Sequence, residues 1–333
     1  FTGLTFTNCY GRNPVCFNIL AFKPFVFENI TINNHIMDQY ETYLGVIDLC
    51  DYMDDESFII RNCQWINNTL FTQYGNGAGL CIKNKPKLKY EFNNCLFENN
   101  QHSKNGGGFQ EGGSVDNVNK ILSFRECNFI GNKAGGKGGG LSIETVLPFT
   151  VDHCTFLNNQ AEMGGAIYIN PTYGSIQNEY GSITNCIFNN NEASLEHGTV
   201  ICIENPKATE IIFDGSNKIT NNGERGSTIY SQCGDLNLID VIFDFNSDQN
   251  VERNFRSIHL IEGSCTTITN CKFIGTGFTT NPKSGHAIKA DRMTKKIICD
   301  DYIFTDCGNS DSQYVIDSLS AELEFTSSVI NFT

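Results

Sequence analysis

The stretch "DHCTFLNNQAEMGGAIYIN", residues 152–170, decides the reading of this chain, because both of its halves recur along the sequence. The first half, a Cys-x-Phe-x-x-Asn run, reappears as "CQWINN" (63–68), "CLFENN" (95–100), "CNFIGN" (127–132) and "CIFNNN" (186–191). Weaker copies are "LTFTNC" (4–9), "FVFENI" (25–30), "IIFDGS" (211–216), "VIFDFN" (241–246), "CKFIGT" (271–276) and "YIFTDC" (302–307). The aromatic positions are then Phe6, Phe27, Trp65, Phe97, Phe129, Phe156, Phe188, Phe213, Phe243, Phe273 and Phe304, spaced 21 to 38 residues apart and mostly 30 to 32. A near-constant period of this length marks a repeat architecture.

The second half, "GGAIYI" (164–169), has its own series in "GAGLCI" (77–82), "GGGLSI" (138–143), "GTVICI" (198–203), "GSTIYS" (226–231) and "GHAIKA" (285–290). Each is a short alternating run entered through Gly or another small residue, the period of a strand with turn residues at its flank. No window sustains a helical period. Short strands without helices, repeating about every 30 residues, predict an all-β fold: a right-handed, single-stranded parallel β-helix of about 10–11 coils, one domain over residues 1–333.

Within the repeat, Cys and Phe are two residues apart and face the same side of a strand, which their apolarity assigns to the coil interior. The Cys column (Cys63, Cys95, Cys127, Cys154, Cys186, Cys271) is filled elsewhere by Leu4, Phe25, Ile211, Val241 and Tyr302, so its cysteines are read as small hydrophobes, buried and unbridged. The closing Asn (Asn68, Asn100, Asn132, Asn159, Asn191, Asn246, with Ser216 and Thr276 as substitutes) is expected to take the turn conformation and to stack amide on amide.

At this point the sequence resembles the repeats of the chlamydial polymorphic membrane proteins, which pair Gly-Gly-Ala-[Ile/Leu/Val] with Phe-x-x-Asn. "GGAIYIN" (164–170) and "FLNN" (156–159) match that pair outright, and "GGGLSI" with "FIGN" and "GTVICI" with "FNNN" match it loosely. Similar repeats occur in surface proteins of protist parasites, which the Asn-rich, Cys-rich composition also resembles. The resemblance implies a β-helix displayed outside the cell or at its surface and acting in adhesion. The bacterial members add a C-terminal outer-membrane barrel, which these 333 residues are not expected to include.

Composition sets further limits. The formal charge of −14 repels phosphate backbones, so nucleic acid is an unsuitable partner. No apolar run reaches the roughly 20 residues that span a bilayer. The 15 cysteines include no Cys-x-x-Cys pair, which removes support for zinc ribbons and thioredoxin-like redox motifs, and no cofactor or metal is expected. Cys233 and Cys265, outside the Cys column on consecutive coils, are the candidates for a disulfide. Three sequons place N-glycosylation candidates at Asn29, Asn67 and Asn331, with Asn29 and Asn67 in one repeat slot and exposed.

The rival to an adhesin or structural rod is a carbohydrate-active β-helix enzyme, a polysaccharide lyase or glycoside hydrolase. Such chemistry needs clustered carboxylates or a cationic base on one face. The local candidates are "GHAIKADR" (His286, Lys289, Asp291, Arg292) and the following Asp300 and Asp301. The order Asn-Thr-Asp, Asp-Asp, Gly-His-Gly, Arg-Ile-Lys of the polygalacturonases is not met, so no catalytic residues are assigned. "DHC" (152–154) places His and Cys on opposite strand faces, "GNKAGGKGGG" (131–140) lacks the Lys-Ser/Thr ending of a phosphate loop, and "KNKPKLKY" (83–90) reads as a solvated turn. The expected partners are surface glycans or proteins. The repeat starts at once and runs to "VINFT" (329–333), with Ile330 and Phe332 in the Cys and Phe slots. The chain is therefore expected to be a segment of something longer, or to self-associate end to end.

Overall fold

In the computed structural model, the described strands one coil apart pair in parallel, in register except for shifts near Ala161, Leu260 and Asp300, and no helix occurs among the described residues. Those residues are 2–8, 10–11, 17–19, 26–37, 47–49, 57–71, 77–82, 89–111, 121–144, 148–170, 180–204, 210–220, 222, 225–232, 234–245, 254–275, 287–305, 307, 315–319 and 321–330. The chain is an all-β, parallel β-helix. Each coil contributes to a first ladder (such as Ile121–Arg125), a second ladder across a tight corner (Asn128–Ile130) and a third ladder (Leu141–Ile143). A short ladder runs beside the second one from Tyr10–Gly11 to Glu192–His197.

The second ladder carries the repeat's aromatic column. Its inward positions are Phe6, Ile32, Trp65, Phe97, Phe129, Phe156, Phe188, Ile219, Phe243, Phe273 and Phe304, and Ile330 pairs with Phe304 one step further, so twelve positions are joined by eleven one-coil steps. Parallel stacking at the ~4.8 Å strand spacing puts ring over ring. Centroids lie 4.8 Å apart for Trp65–Phe97, 4.9 Å for Phe97–Phe129, 4.7 Å for Phe129–Phe156 and 5.0 Å for Phe156–Phe188, with planes within 10° of parallel. The rings are buried and form the spine of the core.

Three phase assignments need correction. Phe27 and Phe213 belong to the first ladder, paired with Ile60 and with Ile183 and Leu238, while Ile32 and Ile219 fill the aromatic slot of their coils. The Cys slot there holds Ile30 and Asn217, not Phe25 and Ile211. Strands on both sides of the corner carry inward apolar residues at alternate positions, so a Phe-x-x-polar match fits either one. Ile330 pairs with Phe304 and so sits in the Phe slot, not the Cys slot.

The corners explain the abundance of Asn. Asn62, Asn94 and Asn185 at the first corner, and Asn34, Asn67, Asn99, Asn158 and Asn190 at the second, all have φ between 51° and 56°. Asn enters this left-handed region more readily than most residues. In "FLNN" the turn residue is thus the first Asn, exposed Asn158, whereas Asn159 is buried and does not take the left-handed conformation. This corrects the turn role expected for the closing Asn. Ser216 also sits at the first corner, not in the closing-Asn column, which continues through Asn222; Asn246 and Thr276 lie outside the described residues.

The amide stacking is present. Asn100 Nδ2 donates to Asn132 Oδ1 at 3.0 Å and to the Trp65 carbonyl at 2.9 Å, while its Oδ1 accepts from the backbone N–H and Nδ2 of Asn68 at 3.1 and 2.9 Å. The same four-bond pattern repeats at Asn132 and Asn159, and among the described residues the column runs on to Asn222, whose Oδ1 accepts from Asn191. Every donor and acceptor of these buried amides is used, which is what makes a polar column tolerable inside the coil.

Cys63, Cys95, Cys127, Cys154, Cys186 and Cys271 are buried and unbridged. Burial pushes the thiols of Cys63 and Cys271 up to about 12 and also raises those of Cys95, Cys127 and Cys154 well above the ordinary thiol range. Thiolates are therefore absent at ordinary pH, and these residues act as small apolar fillers.

Candidate functional site

The third ladder begins at a bend that only small residues fit. Gly164 has φ 62°, and a Cβ on Gly165 would lie 2.4 Å from the carbonyl oxygens of Glu192 and Thr199. This close approach draws neighbouring segments over the outer side of the ladder. As a result, Gln110, Ser142, Tyr168 and Cys202, which alternate outward, are buried as fully as the inward residues flanking them. They are in register one above another, and the column continues through Tyr230, His259 and Lys289. Two residues beyond Ser142 and each later member lies a second outward row: Glu144, Asn170, Glu204, Gln232, Ile261 and Asp291, all half-buried.

Side chains in these rows are tied together across coils. Lys137 Nζ is 2.7 Å from both Glu204 Oε2 and the Tyr168 hydroxyl and lies over the Tyr168 ring, 4.5 Å from its centre. The Tyr168 hydroxyl donates to Glu204 at 2.7 Å and accepts from Asn170 Nδ2 at 3.0 Å. Burial pushes the Glu204 carboxyl up, but the bonds from Lys137 and Tyr168 outweigh it and hold the group below its usual range. Glu144 behaves oppositely: burial raises it, despite bonds to its Oε1 from Asn105 (2.9 Å), Gln110 (2.9 Å) and Ser142 (3.1 Å).

Of the enzyme candidates, Lys289 and Asp291 meet, 3.5 Å apart. Asp291 also pairs at 3.1 Å with His259, a residue with no sequence signal because it is supplied by the preceding coil, 32 positions away. Burial, followed by the nearby Arg256 charge, pushes His259 down to about 4, so its imidazole is neutral at ordinary pH and the contact is a hydrogen bond to a carboxylate. Asp300 and Asp301 are not brought to this group. Asp300 pairs in register with Thr269 and bonds to Thr326, and Asp301 is exposed at the first corner with φ 48°. His286 lies outside the described residues, and nothing is described of the Arg292 side chain. No three His, Cys, Asp or Glu side chains converge on a metal position among the described residues.

The other sequence-derived sites divide similarly. Asn29 and Asn67 are both exposed, but Asn29 is at the first corner and Asn67 at the second, so they do not share a slot as expected. The shared F-E-N and W-I-N-N spelling hides two different corners. Cys265 carries a free thiol, in register with Asp235 and Lys296; Cys233 and Asn331 lie outside the described residues.

The segment 153–170 runs from the first corner through Phe156, the Asn159 amide and the Gly164–Gly165 bend to Tyr168 and Asn170 of the outer rows. It matches the family model described as the Chlamydia polymorphic membrane protein repeat, over those residues. The chain carries a repeat of the polymorphic membrane protein type. The match thus covers the parts that build both the core columns and the outer site. No curated protein matches the chain, and no solved structure does. No helix among the described residues is long and apolar enough to cross a membrane.

Proposed function

We propose that this β-helical repeat protein is an extracellular or cell-surface rod that makes adhesive or structural contacts, and that it engages glycans along the outer rows of the third ladder. The observation that carries this reading is the row Glu144, Asn170, Glu204, Gln232 and Asp291, which offers one half-buried hydrogen-bonding side chain at every coil but that of Ile261. Its repeat, the ~4.8 Å strand spacing, is comparable to the length of one pyranose unit. His259, half-buried, lies beside the row, and a planar ring beside amides and carboxylates is a donor–acceptor set suited to sugars. The polymorphic membrane protein repeat supports the surface placement.

The test is a glycan-array screen of the purified protein alongside the double variant Asn170→Ala/Gln232→Ala. Binding of one glycan class, weakened at least tenfold in the variant, is expected. Equal binding by both proteins removes the third ladder from the reading, and binding only to host-surface proteins shifts the partner class.

The enzyme reading rests on the His259–Asp291 pair with Lys289 beside it. Release of reducing ends or unsaturated products from acidic polysaccharides, lost in Asp291→Asn, is the outcome that favours it. Secretion through a eukaryotic pathway should place N-linked glycans on Asn29 and Asn67. A mass shift on enzymatic deglycosylation, absent in Asn29→Gln/Asn67→Gln, checks this.

A further inference from the structure

The third ladder is entered through a slot two residues before its first inward side chain. In successive coils that slot holds Gly107, Gly139, Gly165, Thr199 and Ser227, ahead of Phe109, Leu141, Ile167, Ile201 and Ile229. A Cβ on Gly107, Gly139 or Gly165 would run into the carbonyl oxygen of the same slot one coil on. One coil after Ser227, and in register with it, the slot holds Arg256. A long cation thus stands where the preceding coils keep a small residue. Nothing inside the protein answers its charge. Its Nε is buried without a hydrogen-bond partner, and among the described residues no carboxylate pairs with the guanidinium, although the side chain is half-buried. The nearby carboxylates are committed elsewhere. Asp291 bonds to His259 at 3.1 Å and lies 3.5 Å from Lys289, and Asp317 is the register partner of Lys289, two coils from His259. Arg256 is close to the His259 ring: after burial, its charge does most to keep that imidazole neutral. Tyr230 packs edge-on against the same ring, with centroids 5.5 Å apart.

We propose that Arg256 binds the carboxylate of an acidic sugar, so that the glycan engaged along the outer rows carries a uronic- or sialic-type group at this coil; this rests on the glycan reading above. A half-buried guanidinium without an acceptor gains most from an anion, and its planar fork meets a carboxylate through two parallel N–H···O bonds. The neutral His259 ring beside it offers a flat surface to the sugar. The formal charge of −14 repels polyanions, so a glycan with single acidic sugars fits this surface and a densely sulfated chain does not. An acidic peptide fits less well. Extended peptides bind by pairing with a strand edge, and the strand that carries Arg256 is already paired on both sides.

The test compares binding of the full chain to oligosaccharides ending in glucuronic or sialic acid with binding to the same oligosaccharides after reduction of the carboxyl to an alcohol. One acidic form should bind at least tenfold more tightly than its reduced counterpart. Arg256→Ser, which supplies the residue of the preceding coil, should keep the parent's Tm and bind both forms alike. Arg256→Lys keeps the stem and the charge but not the fork, and should lose most of the preference, which keeps the test valid should Arg256→Ser fail to fold. Lys272→Gln, which removes an exposed cation from the second ladder, should retain the preference. Equal binding of acidic and reduced forms by the parent, or an undiminished preference in the Arg256 variants, overturns the Arg256 site and leaves the glycan reading standing. Binding of no glycan, acidic or neutral, ends the glycan reading and this inference with it. Tighter binding to heparin or to polyglutamate than to the acidic oligosaccharides overturns the sugar carboxylate as the ligand.

Discussion

Consecutive asparagines in this chain do opposite jobs. In "FLNN", Asn158 supplies a left-handed corner in solvent, and Asn159 supplies four hydrogen bonds inside the coil. Replacing Asn132 with Ala should strand the backbone N–H and amide of Asn100 and the carbonyl of Phe97, destabilising the fold by about 3 kcal/mol or more in urea unfolding. Asn158→Gly should stay within about 0.5 kcal/mol of the parent, because Gly accepts the same φ. Similar losses in the two variants would contradict the division of roles. Single-residue patterning showed that Asn belonged at this step but not which Asn turned, since the two are adjacent and identical.

His259 is the residue whose titration should be visible. Its folded value of about 4 lies below the ordinary 6.5, so between those values the unfolded chain holds a proton that the folded chain does not. Stability should therefore fall as pH drops from about 6.5 to about 4 and level off below that, by at most about 3 kcal/mol from this group. His259→Gln should remove that part of the slope in denaturant titrations at pH 7 and pH 4.5. An unchanged slope would mean that the imidazole is not held neutral.

At the scale of the strand, the core columns were readable because the same slot must be refilled with an apolar residue every coil. Trp65, Phe97, Phe129, Phe156 and Phe188 keep phase for that reason. Phase slipped at Phe27 and Phe213, where Ile32 and Ile219 take the aromatic slot and leave a Phe only across the corner. The outer site was not readable. Lys137, Tyr168 and Glu204 meet across separations of 31 and 36 residues, and their slots hold other residues, such as Ser142 and Cys202 in the column of Tyr168, in the neighbouring coils. Strand-level packing gives its own prediction: Phe129→Ala, in the middle of the stack, should cost about 3–5 kcal/mol, with Cys127→Val costing under about 1.5 kcal/mol. Thiol reagents should leave Cys95, Cys127, Cys154 and Cys186 untouched in the folded protein and modify all four in denaturant. Failure to modify them in denaturant without reductant would mean that the column is oxidised.

For the whole molecule, register turns sequence distance into axial rise. Gln64, Leu96, Asn128, Thr155, Ile187 and Lys218 point outward from one ladder, one coil apart, although their spacings along the chain vary from 27 to 32 residues. The most direct measurement is a set of pairwise spin-label distances from Gln64 to Ile187, Lys218 and Lys272, with labels introduced by an orthogonal chemistry that spares the native thiols. A parallel β-helix in this register predicts separations of about 19, 24 and 34 Å between backbone positions, four, five and seven steps of ~4.8 Å, in narrow distributions. Broad distributions, or distances that do not increase by one strand spacing per coil, would contradict it.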